Sequence, residues 1–419
     1  MKFIKGTFIK NIILLSSGSL FAQFINFVSA PFMTRLFSVD EIGLFTYIIS
    51  IAYLFAPVIC LRYESAIVLE EDENNVYALV KVCLTICVFL SAIIGGCYFL
   101  YFFYYGRFDV IGYVCVIAFL LIVSGISLVL NSYNTREQRY EILTKVPVYR
   151  ALANMVSMMF LGIYTHSANG LICSHTISQI VGLWDQGKKL FRDRFIVIGI
   201  SLENMKDVVQ KYKGFPLYSV PAIFFNNCAY LSMNFFIADL YGMKELAYYA
   251  VSYRILGVPL SVISYNIGNV FFERASKDYA ETGSFSSIYQ KTFLLLCVLC
   301  VPVIGGIYFI APWFCELYFG QEWYIAGLYV QIMCIMYASR FIFAPLTAGI
   351  FVLKRNKVEM CCQLCFLLIS LGIYFAAKLI TMIDIKTFLL IDSIGFAIVY
   401  MLFGGVIYRL SKISFNKEM

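Results

Sequence analysis

The 419-residue chain carries a formal net charge of +7, with 61% of its residues hydrophobic, only 14% charged and a mean hydropathy of +0.81. That balance excludes a water-soluble globule, and the absence of period-2 alternation excludes a membrane β-barrel. An all-α polytopic membrane protein is left, because each run of about 20 apolar residues can cross a bilayer core of roughly 30 Å as a helix.

In chain order, MKFIKGTFIKN leads into an apolar run (Asn11–Pro31) that mimics a secretory signal, with Val28-Ser29-Ala30 resembling a cleavage site. Pro31 follows directly and should block cleavage, so the run is read as a retained first helix. Twelve spans are expected, at 11–34, 42–62, 79–104, 109–131, 147–165, 168–184, 214–238, 246–272, 290–312, 323–351, 358–380 and 387–408. The turn RLFSVDEIGLFTY (Arg35–Tyr47) between the first two spans returns 204 residues later as DLYGMKELAYYAV (Asp239–Val251), which suggests a duplicated bundle. The longest polar interval, Asp185–Lys213, divides the chain into a six-helix N-terminal lobe (1–190), a basic cytoplasmic linker (191–213) and a six-helix C-terminal lobe (214–419). The linker fits a solvated connector, or an interfacial helix against anionic lipid. The acidic run Glu70-Glu71-Asp72-Glu73 reads as a solvated turn.

Placing both termini in the cytoplasm assigns 25 of the 32 Lys and Arg to the cytoplasmic side. Five (Arg35, Arg107, Lys244, Lys378 and Lys386) fall outside, and Arg254 and Arg340 fall within helices. This obeys the positive-inside rule and explains the net charge without a nucleic-acid partner. Outer loops reach about a dozen residues at most, too few for an external catalytic domain.

No nucleotide loop, HExxH or nucleophile elbow occurs, so neither enzyme activity nor a cofactor is expected. Cys297-x-x-Cys300 and the cluster Cys361, Cys362 and Cys365 lie mid-helix without His or acidic companions, so no metal site is expected. The sharpest signal is the pair of intramembrane arginines. Arg254 lies about 15 Å below Lys244, and Arg340 about 21 Å from Lys354, at 1.5 Å per residue. A charge at that depth costs about 3 kcal/mol and needs a cavity or a partner. Acids are scarce in the spans, so an anionic substrate complements them, and the planar guanidinium fork suits phosphate. Each arginine precedes a proline by five residues (Pro259 and Pro345), and Pro57 occupies the matching helix of the first lobe; all three are candidate helix hinges. Gln23 and Asn26 on the first span, with Asn227 and Asn234 on the seventh, are candidate polar cavity residues, and interhelical hydrogen bonds are the alternative. His175 and Asp239 are candidate ion-coupling groups, although an interhelical hydrogen bond suits His175 better.

The segments Ser17–Tyr47, Leu61–Asp72 and Leu317–Val330 resemble polysaccharide-biosynthesis flippases of the Wzx type, in the multidrug/oligosaccharidyl-lipid/polysaccharide exporter superfamily. The resemblance covers the whole chain. It implies a MATE-like fold of two six-helix lobes around a central cavity. It also implies an undecaprenyl-diphosphate-linked oligosaccharide substrate for O-antigen or capsule, carried across a bacterial inner membrane. Arg254 and Arg340 are the residues here that could meet the diphosphate. Membrane lipid and the pathway's polymerase and chain-length proteins are the implied partners, and the chain is expected to act as a monomer. A polymerase or ligase of the same pathway, and a multidrug/cation antiporter of the same fold, are the alternatives.

Overall fold

The computed structural model describes residues 2–106, 111–193, 199–353, 355–380 and 383–412, except the side chains of 2–16, 258, 262, 265, 356 and 357. Of the charge tally, Arg107, Arg194, Lys354 and Lys417 lie outside the described residues, as do the side chains of Lys2, Lys5, Lys10 and Lys357. The chain forms two compact units, Met1–Phe224 and Phe225–Met419. Helices and turns make up all the described secondary structure.

The first unit contains α1 (Lys2–Leu36), α2 (Val39–Phe55), the short α3 (Glu64–Ile67), α4 (Glu73–Tyr104), α5 (Tyr113–Arg136) and α6 (Tyr140–Thr165). It continues with α7 (Ala168–Ile180), α8 (Leu183–Arg192) and α9 (Leu202–Lys211). The repeated turn has a clear local cause. Ser38 caps α2 and exchanges hydrogen bonds with Glu41 in a capping box, which satisfies otherwise orphaned amides. Pro57 sits in a 3-10 turn, Ala56–Val58, that ends this span. α1 packs closely on α6, where a Cβ on Gly18 would lie 2.4 Å from the Thr144 carbonyl. Small residues allow such backbone approach where lipid supplies no hydrophobic drive.

The second unit takes most of α10 (Val220–Tyr241), then α11 (Met243–Thr282), α12 (Ser286–Phe319), α13 (Tyr324–Phe343), α14 (Ala348–Val352), α15 (Asn356–Leu379) and α16 (Ile385–Ser411). The second copy of the repeated turn has Gly242 at φ 90° in place of the Ser38 cap, and its Glu245 accepts a bond from the Tyr329 hydroxyl instead. Gly327 lets α13 approach α12, since a Cβ there would lie 2.4 Å from the Pro312 Cα.

Helices overlap each of the twelve expected spans, and ten of the described helices are long and apolar enough to cross a membrane. The sixth span departs from expectation. α7 has 13 residues, about 20 Å, and the chain bends at Gly182 (φ 82°) before α8. Arg150, inside α6, secures this break. Its Nε donates to the Val181 carbonyl at 3.2 Å and its Nη2 to Ser127 Oγ at 2.9 Å.

The acidic run is a correction as well. Glu70 is buried, not solvated, and accepts from Lys211 at 2.6 Å and Tyr212 at 3.0 Å, so α9 is clasped against α4. Burial alone would raise its carboxyl, but the bonds from Lys211, Tyr212 and the Asp72 amide outweigh this and hold it at about 2. Arg136 completes the corner by donating to the Glu70 and Glu71 carbonyls and to Glu73.

Candidate functional site

The second unit has an open cavity of about 460 Å³ between α11, α13 and the turn into α14. α11 contributes Gly257, Leu260, Ser261, Ser264, Gly268 and Asn269, a stripe at helical spacing. Gly257 admits the Tyr337 hydroxyl, which would lie 3.3 Å from a Cβ there. α13 contributes Tyr337, Arg340 and Phe341. Pro345 cannot donate to the Phe341 carbonyl, so α13 ends at Phe343 and the chain tightens into a 3-10 turn, Pro345–Thr347, whose residues form another wall.

Arg340 is the only charged residue on this lining. Its guanidinium carbon lies 4.9 Å from the Tyr230 ring centre and 5.6 Å from that of Tyr337. Nη1 is buried without a hydrogen-bond partner, and no ion pair to Arg340 occurs among the described residues. The Tyr230 hydroxyl bonds that of Tyr400 at 2.8 Å, and Phe366 packs against both rings. Ring faces attract a guanidinium by about 2 kcal/mol when desolvated. They orient the cation, yet they supply no counter-charge. A buried cation held this way has donors to spare for an anion.

The other predicted residues are spread more widely. Arg254 lies one turn before Gly257, on the stripe that lines the cavity, but is itself exposed and outside the lining. Pro345 belongs to the lining, whereas Pro259 lies within the continuous α11. Asn227 and Asn234 are partly buried on α10. Gln23 and Asn26 belong to α1 of the first unit, half-buried and exposed respectively. His175 Nε2 lies 3.0 Å from the Tyr53 hydroxyl, an interhelical bond between α7 and α2. Asp239 is exposed and tied to Tyr374 at 2.8 Å and Lys378 at 3.2 Å, which fastens the end of α10 to α15. No group of acids, His and Cys suited to a metal occurs among the described residues.

Asp392 is a further buried acid that the scarcity of acids in the spans does not bring out. It is 5% exposed on α16, accepts a bond from Ser370 Oγ at 3.2 Å, and forms no ion pair among the described residues. Phe396 and Tyr400 follow it at i+4 and i+8, so the acid shares a helix face with the tyrosine pair beside Arg340. That spacing was the available signal.

With this geometry in view, comparison with known proteins decides the family. A family model described as "Polysaccharide biosynthesis protein" matches residues 32–326. The chain belongs to the polysaccharide biosynthesis protein family. The teichuronic acid biosynthesis protein TuaB of Bacillus subtilis (strain 168) is 19% identical over 264 residues, 61% of this chain and 52% of TuaB, so the chain spans about half the length of that relative. Among solved structures, an inward-facing multidrug resistance MATE family transporter of the MOP superfamily is similar at TM-score 0.63 and 15% identity, covering 96% of this chain and 97% of that one. A MOP superfamily transporter from Pyrococcus furiosus, whose binding pocket is described as of reversed polarity, gives TM-score 0.56 at 16% identity, covering 96% and 95%. This member of the polysaccharide biosynthesis family is thus a multi-pass, all-α membrane protein with the MATE fold.

Proposed function

We propose that the protein is a flippase, which carries an undecaprenyl-diphosphate-linked oligosaccharide repeat unit across the bacterial cytoplasmic membrane by alternating access. The observation that carries this reading is Arg340, a caged cation that lines a cavity otherwise free of charge and whose buried Nη1 has no hydrogen-bond partner. A diphosphate supplies the missing anion. Charge-assisted bonds to the guanidinium fork hold it, and Ser264 and Asn269 on the same lining offer neutral bonds beside it. Arg254, one turn away on the same stripe, is the second contact as the headgroup passes. The mechanism needs no covalent step. The protein lowers the barrier by replacing water around the diphosphate with fixed donors, and the apolar walls meet the start of the lipid chain. Membership of the polysaccharide biosynthesis family supports the choice of a sugar-bearing lipid over a drug.

A deletion strain tests the reading. Surface polysaccharide should be lost, with lipid-linked repeat units stranded on the cytoplasmic leaflet. Repeat units that reach the outer leaflet and fail to polymerise would show a polymerase instead.

A further inference from the structure

We infer that the turn 61–67, between α2 and α4, is a pH-sensitive latch that closes when Glu64 carries a proton and loosens when it ionises. Leu61 and Arg62 hold φ of 49° and 64°, the only consecutive non-glycine residues in the left-handed region among the described residues. Side chains with a Cβ adopt that region at a cost, so the closed turn is strained. Backbone hydrogen bonds still close it. The Leu61 amide donates to the Val58 carbonyl at 2.8 Å and the Tyr63 amide to that of Cys60 at 3.2 Å. Ser65 donates to Arg62 at 3.1 Å and Ala66 to Tyr63 at 3.0 Å in the same way. α3, which starts at Glu64, packs against α4 and α5.

Glu64 loads the latch. It lies outside the membrane-spanning helices, yet it is only 2% exposed. Arg62 Nη1 stands 3.0 Å from its Oε1, too oblique for a hydrogen bond, so neither carboxyl oxygen accepts one from another residue. A buried carboxylate with so few donors is costly, whereas the neutral acid is tolerated. Burial pushes the carboxyl up, and Arg62 and the residue's own amide oppose the shift without reversing it. Among the described residues no charge from α4 or α5 acts on it. The Cys60 thiol, the other titratable group that faces it, donates to the Gly125 carbonyl of α5 at 3.7 Å, and Cys83 of α4 adjoins that thiol. An open turn hands the carboxyl to water, where it is the stronger acid. The closed form is therefore fully favoured below about pH 4.5 and loses ground as pH rises through the raised value. The Tyr63 hydroxyl donates to the Val209 carbonyl at 3.4 Å and carries the change to α9.

The test is amide hydrogen exchange of the purified full-length protein at Leu61, Tyr63, Ser65 and Ala66, normalised to intrinsic rates, from about pH 5 to about pH 8. Glu70, held at about 2, stays ionised throughout that range, so its clasp does not contribute. Wild-type exchange at the four amides should rise with pH, by up to about tenfold per unit until the carboxyl is fully ionised, the limit for one proton. Glu64→Gln, neutral at every pH, should keep the acid-side protection across the range. Arg62→Met removes the opposing charge and should extend the rise to higher pH, a result that stands even if Glu64→Gln fails to fold. Three results overturn the inference: wild-type protection that does not change with pH, a rise that survives Glu64→Gln, or a rise that Arg62→Met leaves where it was.

Discussion

Replacing Glu70 with Gln keeps the side chain's shape and removes the charge that Lys211 and Tyr212 grip at 2.6 and 3.0 Å. The carboxyl is held down from the usual 4.5 to about 2. At about 1.4 kcal/mol per pH unit this corresponds to about 3 kcal/mol. Lys211 is half exposed, so solvent screening reduces the figure to about 1–2 kcal/mol. Because the folded carboxyl is the stronger acid, its contribution is complete above about pH 4.5 and fades as pH falls towards 2. The element it holds is α9, so amide hydrogen exchange over Leu202–Lys211, normalised to intrinsic rates, is the direct assay. Glu70→Gln should speed exchange there by about 5- to 30-fold at pH 7, the equivalent of 1–2 kcal/mol. Acidification of the wild type should approach the variant's protection, while the variant itself stays flat. Wild-type protection in Glu70→Gln at pH 7 would refute the clasp.

Other substitutions test the remaining structural claims. Gly327→Val puts side-chain atoms where Pro312 Cα and the Ala311 carbonyl lie 2.4 and 2.8 Å from a Cβ, and should lower the melting temperature in detergent by several degrees, about 1–3 kcal/mol. Gly405→Ala, with nothing within 4 Å, should not lower it. Arg150→Met strips the donors from Val181 and Ser127, and should destabilise the α7–α8 break by about 1–3 kcal/mol, read as faster exchange around Gly182. Asp392→Asn preserves the Ser370 contact and should flatten the pH dependence of translocation at normal expression. An unchanged pH profile would show that the Asp392 carboxyl contributes nothing to the pH dependence of translocation.

Much of the architecture is legible in hydropathy alone, because burial in lipid demands long apolar runs and helices satisfy their own backbone. Arg340 is legible for the same reason, since a charge in such a run is costly enough to need a purpose. What stays hidden depends on partners far away in the chain. The run Glu70–Glu73 looks solvated in its local context, and only Lys211 and Tyr212, 141 and 142 residues on, make it a buried clasp. The break at Gly182 hides inside an apolar run that continues past it, and the carbonyl it frees is bonded by an arginine 31 residues upstream. Asp392 sits near a helix start, where counting suggests the interface, but its face of α16 points into the unit. The cage around Arg340 draws Tyr230, Tyr337 and Tyr400 from three helices, and periodicity cannot rank these above the other 28 tyrosines in the chain of 31.

The proposed transport turns on the Arg340 guanidinium meeting a lipid diphosphate. Its most direct measurement is the affinity of purified protein for an undecaprenyl-diphosphate-linked sugar, compared between wild type, Arg340→Ala and Arg340→Lys, each checked for an unchanged melting temperature. Loss of charge-assisted bonds worth about 1.5–3 kcal/mol should weaken binding by about 10- to 150-fold in Arg340→Ala. Arg340→Lys should fall between, because it keeps the charge and loses the fork. Affinity within about twofold of wild type in a folded Arg340→Ala protein would contradict a diphosphate site at Arg340.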